Sequence, residues 1–92
     1  MIDGAGVASA IVGNKVPGVF AAVCWDQFTA KIAREHDDAN LLALGGQVLG
    51  PALAKEVVRT FLATEFGGGR HARRVNKIKS IESRFMRREE KV

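Results

Sequence analysis

Val19-Phe20-Ala21-Ala22-Val23-Cys24-Trp25 is an unbroken apolar run of strand length, and Leu41-Leu42-Ala43-Leu44 is a second, stopped by Gly45-Gly46. A run that is apolar at every position, not at alternate ones, fits a strand covered on both faces, as in a parallel sheet. Between the two runs Asp26 is placed to cap a helix over 26–36, with Phe28, Ile32 and Ala33 on one side. Beyond them Pro51 suits the first turn of a helix over about 51–64. Its apolar face is Leu53, Val57, Phe61 and Leu62, with Lys55, Glu56 and Arg59 towards water. Upstream, residues 4–15 read as a Gly-rich turn opening a short helix that Asn14 and Pro17-Gly18 end. Downstream, Gly67-Gly68-Gly69 break the chain before a last helix that starts near Arg70 and runs towards Glu89. The order turn–helix–strand–helix–strand–helix–helix predicts an α/β layered fold with a parallel sheet. Two strands make a poor sheet. The expectation is therefore a single, partial domain over 1–92, truncated at the amino terminus, whose further strands are missing or supplied by a partner.

Ninety-two residues allow one small domain. With 47% hydrophobic and 26% charged residues the chain can build a packed core, which excludes a disordered class. The one cysteine, Cys24, cannot form an internal disulfide and reads as a buried small hydrophobe. No Cys/His cluster has zinc spacing, and no metal is expected. The start, Met1-Ile2-Asp3-Gly4, has neither a basic leader nor a long apolar run, so a cytoplasmic protein without a membrane span is expected.

Charge is unevenly placed. Residues 70–92 hold nine Lys/Arg against three Glu, a balance of +6, whereas residues 1–69 hold five basic and seven acidic side chains, a balance of −2. A basic tail points to an anionic ligand, an acidic surface or nucleic acid. No aromatic residue is interleaved with the basic ones, so nucleic acid is not the expected partner. The cluster Arg84, Arg87, Arg88 and Lys91 reads as a solvated helix end.

Three ordered segments carry a resemblance. They are Asp3-Gly4-Ala5-Gly6 followed by Asn14-Lys15-Val16-Pro17-Gly18; Ala33-Arg34-Glu35-His36-Asp37-Asp38-Ala39-Asn40 with Leu42-Ala43-Leu44-Gly45; and Gly68-Gly69-Arg70-His71 with Arg74. In this order and spacing the chain resembles the carboxyl-terminal part of the ribose-5-phosphate isomerase B family, which includes the galactose-6-phosphate isomerase subunits. The resemblance implies a Rossmann-like three-layer sandwich with a five-stranded parallel sheet. It implies cofactor-free, metal-free interconversion of aldose and ketose phosphates through a cis-enediolate. The implied partners are a phosphorylated sugar and a second subunit, in a homodimer or a heteromer with a related chain, with the helix over 70–90 packing in the dimer.

Such a reaction needs a base that takes a proton from the carbon beside a carbonyl and returns it to the neighbouring carbon, and donors for the oxyanion. Backbone N–H groups of a Gly-rich turn at a helix start suit the second task. Gly4, Ala5, Gly6, Val7, Ala8 and Ser9 form such a turn. Taken alone, its Gly-x-Gly lacks the third glycine of a dinucleotide fingerprint, since Ser9 stands there. Asp3 stands where many family members have a cysteine base. A carboxylate could serve if burial raises its pKa from about 3.9 towards neutral, although the helix start favours the charged form; otherwise Asp3 only caps the first helix. Ala5 replaces a hydroxyl-bearing threonine of the family pattern.

His36 aligns with the histidine held to open the sugar ring, a proton transfer that suits imidazole. Asp37 replaces the usual asparagine and would repel the intermediate, so it enters as a substrate contact with altered chemistry. Arg70 and Arg74, one helical turn apart after the triple glycine, can clamp a phosphate. Gln47 replaces an arginine found in many relatives.

Overall fold

The computed structural model describes residues 1–86 as β1 (Ile2–Asp3), α1 (Val7–Gly13), β2 (Ala21–Val23), α2 (Gln27–Glu35), β3 (Leu41–Gly45), α3 (Pro51–Ala63) and α4 (Arg70–Phe85). The far end expected for α4 and the charged group at Arg87, Arg88 and Lys91 fall outside these residues.

The three strands form one parallel sheet in the order β1-β3-β2. Ile2 and Asp3 stand opposite Leu44 and Gly45, and Ala21 to Val23 stand opposite Leu41 to Ala43. The short β1 adds a strand that the apolar runs do not reveal, and β2 is three residues long where seven are apolar. Pairing continues past both ends of the strand: the Phe20 N–H donates to the Asn40 side chain and its carbonyl accepts from Asn40 and Leu41, while the Cys24 N–H donates to the Ala43 carbonyl.

Chain direction sets the layers. The β1-to-β2 connection steps across β3, and the β2-to-β3 connection steps back. Right-handed crossovers then put α1 on one face and α2 on the other. Gly13 of α1 lies against Ala21 and Leu41 on the first face. On the second face Cys24, Ala30, Ala33, Ala39, Leu44, Val57 and Phe61 form the main core. The result is the layered α/β sandwich that the sequence predicts.

Each helix shows why it starts where it does. Asp26 accepts the Thr29 N–H at 2.7 Å while the Thr29 hydroxyl receives the Asp26 N–H, a reciprocal cap. Pro51 opens α3. Two predicted faces differ from the observed ones. Phe28 points to solvent, as do Leu62 and, in part, Leu53, because α2 and α3 pack on each other through Ala30, Ala33, Val57 and Phe61. Arg34 fastens that pair: its guanidinium donates to the carbonyls of Thr64 (3.1 Å) and Ala39 (2.6 Å) and lies over the Phe61 ring.

Candidate active site

The carboxyl end of the sheet holds the Gly-rich turn. α1 leaves β1 towards one face while α3 leaves the adjacent β3 towards the other, so the turn sits at a topological switch point. Gly6 has φ 84, a left-handed conformation that a side chain would strain. A Cβ on Gly45 would sit 2.9 Å from the Ala5 carbonyl, so the turn and β3 touch backbone to backbone. The Gly46 N–H donates to the Asp3 carbonyl (2.7 Å) and the Gln47 N–H to that of Gly4 (3.0 Å).

Asp3 closes this turn on itself. One carboxylate oxygen accepts the Gly6 N–H; the other accepts the Ser9 N–H (2.8 Å) and the Ser9 hydroxyl (2.7 Å). The bonds from Ser9, hydroxyl first, and those from the turn's backbone hold the carboxyl below the usual carboxylate range. Burial acts in the opposite direction and is outweighed. The pKa raised by burial that the base role requires is thus replaced by a lowered one. Val7 and Ala8 complete the first turn of α1, where N–H groups have no intrahelical acceptor.

The amino end of the sheet holds the other half. α2 runs back from the carboxyl end, so His36, its C-cap, lies beyond the start of β3. α3 likewise returns the chain, and the Gly67 N–H bonds to the Glu35 carbonyl at 2.9 Å, bringing the start of α4 beside His36. The His36 and His71 rings stack with centroids 4.0 Å apart and planes 16° from parallel. Glu35 Oε1 is 3.5 Å from His36 Nε2. Burial first, then His36 and the flanking Arg70 and Arg74, holds the His71 imidazole below the usual value of 6.5. Asp37 is exposed beside His36. Asn40 is a structural tie, bonded to Phe20 and Gly18.

Within one chain, then, His36, Asp37, Arg70 and Arg74 gather at one end, and Asp3 through Ser9 at the other. The five residues of β3 separate them, a distance of about 13 Å at 3.3 Å per residue. Sequence inspection missed this split and the His36–His71 stack. The split was readable in principle: a helix joining two parallel strands starts at their carboxyl end and finishes at their amino end. Nothing in the sequence signals the stack.

Among the described residues, Glu35, His36 and His71 offer ligand atoms within 4.8 Å of one another. Their nitrogen lone pairs lie in nearly parallel planes and do not converge on one point, which is poor geometry for an ion. Cys24 is 1% exposed, and burial pushes its thiol up, so it packs as a hydrophobe. No described helix is long and apolar enough to cross a membrane.

A parallel α/β layer thus carries a glycine turn at its switch point and paired arginines at a helix start. Comparison makes the class specific: residues 1–78 match the family model described as Ribose/Galactose Isomerase, and the chain belongs to that family. It is 46% identical over 84 residues to a putative sugar phosphate isomerase of Bacillus subtilis, covering 91% of this chain and 56% of that one. It is 43% identical, with the same coverage, to ribose-5-phosphate isomerase B of Escherichia coli. It is 45% identical over 78 residues to D-erythrulose-4-phosphate isomerase of Pectobacterium atrosepticum, covering 85% of this chain and 51% of that one. The solved ribose-5-phosphate isomerase B of Clostridium thermocellum superposes with a TM-score of 0.89 at 52% identity, over 91% of this chain and 57% of that one. The chain spans about half the length of the curated relatives it matches.

Proposed function

We propose that the chain takes part in aldose–ketose isomerisation of a small sugar phosphate, ribose 5-phosphate or a close analogue, without metal or cofactor. The observation that carries this reading is the gathering of His36 with Arg70 and Arg74 where α2 meets α4. The arginines are the phosphate clamp. His36 moves a proton between the ring oxygen and the anomeric hydroxyl, opening the sugar. Asp3 takes the proton from C2 of the open aldose and returns it to C1, while the oxyanion rests on the free N–H groups of the Gly4–Ser9 turn, those of Val7 and Ala8. To accept that proton, Asp3 must exchange its bond to the Ser9 hydroxyl for one to the substrate. Because the two halves lie at opposite ends of one sheet, the site is assembled from two copies or from a copy and a related subunit. A lone buried thiol at Cys24 fits a reducing, cytoplasmic setting.

The carboxylate of Asp3 also favours a second reading, a non-catalytic subunit or inactive relic. A base held ionised by three hydrogen bonds is a weak one. Turnover of ribose 5-phosphate by the purified chain, abolished in Asp3→Asn, supports the first reading. Turnover that survives Asp3→Asn removes Asp3 as the base, and none in the parent chain leaves the second.

A further inference from the structure

We propose that His71 is the positioning residue of His36, a neutral ring that holds the imidazole flat and aimed for sugar-ring opening. This rests on the isomerase reading above. The two rings lie 4.0 Å apart and nearly parallel, so His71 covers one face of His36 and limits its rotation, while Nε2 on the ring edge faces Glu35 Oε1 at 3.5 Å. His71 itself is fixed. It sits in the first turn of α4, its N–H bonds to the Gly68 carbonyl at 3.0 Å, and the preceding Gly67 is tied to the Glu35 carbonyl. A Cβ on Gly67 would lie 3.2 Å from the Glu35 carbonyl oxygen and 3.3 Å from the His71 ring, so the three groups are in close contact.

The chemistry of His71 suits a support and not a proton carrier. Its Nδ1 is buried and has no partner among the described residues. A proton there would add an unpaired N–H at a buried atom, with Arg70 and Arg74 on its own helix. Glu35, on α2, is the one group whose charge acts the other way, and it lies 3.5 Å from Nε2 of His36. His71 therefore stays uncharged while His36 keeps a carboxylate neighbour. Aim matters in such a transfer, because displacing a reacting group by about 1 Å can cost on the order of 100-fold in rate.

Two substrates separate ring opening from the isomerisation that follows. Ribose 5-phosphate rests mainly as a five-membered ring and must be opened. Erythrose 4-phosphate carries its phosphoryl group on the fourth oxygen, cannot close that ring, and needs no opening. Both present the same phosphate to Arg70 and Arg74. With the 92-residue chain, His71→Ala is expected to lower kcat/KM for ribose 5-phosphate by about 30-fold while erythrose 4-phosphate stays within about threefold. His71→Phe, which keeps a flat ring and removes the nitrogens, is expected to restore the ribose 5-phosphate value to within about threefold of the parent. Equal losses on both substrates, or no loss on either, would overturn the assignment, as would failure of the phenylalanine to rescue. If the alanine variant does not fold, His71→Leu replaces it in the comparison with His71→Phe. Proton NMR reads the stack without turnover: the His36 Cε1–H resonance moves on loss of the facing ring in His71→Ala and keeps an upfield position in His71→Phe. A parent chain that turns over neither substrate overturns the isomerase reading and this role with it; a chain active on both whose ratio ignores His71 overturns the positioning role alone.

Discussion

Both oxygens of Asp3 are taken up by donors of its own turn, and this one side chain decides how the carboxyl end of the sheet behaves. Its lowered pKa links to stability with a definite sign. The folded state holds the ionised form more tightly, so the contribution is in full above the ordinary carboxylate value of about 3.9 and is lost as pH falls through the lower folded value. Asp26, lowered by the backbone and hydroxyl of Thr29, adds in the same direction. Thermal melts from pH 6 down to pH 2.5 should show a steep acid limb that is shallower in Asp3→Asn; an unchanged limb would remove the link. His71 acts at a higher range. Its depressed value means the unfolded chain binds the proton first, so stability falls as pH drops below 6.5. The other decisive residue at this scale is Gly45. Its missing Cβ lets β3 meet Ala5, and Gly45→Ala should cost about 2 kcal/mol by overpacking, read as a lowered urea midpoint at unchanged slope.

At the scale of elements, reading the sequence succeeded where local chemistry decides and failed where distant partners do. α2 and α3 were located to within a residue because Asp26 with Thr29 and Pro51 are local signals. β1 was missed because two residues carry no period, and its status depends on pairing with Leu44 and Gly45 some 40 positions away. The same reason explains the misjudged faces. Which residues of α2 and α3 are buried is set by their contact with each other, and the small Ala30 and Ala33 face inward where the large Phe28 does not. Two substitutions test this account. Asp26→Ala removes the reciprocal cap and should lower Tm by about 4–8 °C. Val57→Ala, at a fully buried position between α3 and the sheet, should cost about 2 kcal/mol in a denaturant titration, whereas Leu62→Ala should change the midpoint little.

At the scale of the whole molecule, strand edges and several large apolar side chains lie on the surface. β1 and β2 are both edge strands, and Ile2, Leu62 and Phe85 are each more than two-thirds exposed. Along α4 Val75 is buried, whereas Ile78, Ile81 and Phe85 face outward. These edges and side chains are open to contact with a second copy of the chain. This bears on catalysis because one sheet cannot bring Asp3 to His36. A two-copy site makes a quantitative prediction from symmetry alone. Asp3→Asn and His36→Asn chains are each expected to be inactive. Mixed one to one after unfolding and refolding together, half of the resulting dimers are mixed. Each mixed dimer carries one site with both defects and one with neither, so roughly a quarter of the parental activity should return. A site held within one chain would return none, because every site in the mixture would then keep its own defect. Recovery of activity on mixing, measured against the same variants refolded separately, decides between the two arrangements and fixes which copy supplies the turn and which the histidine.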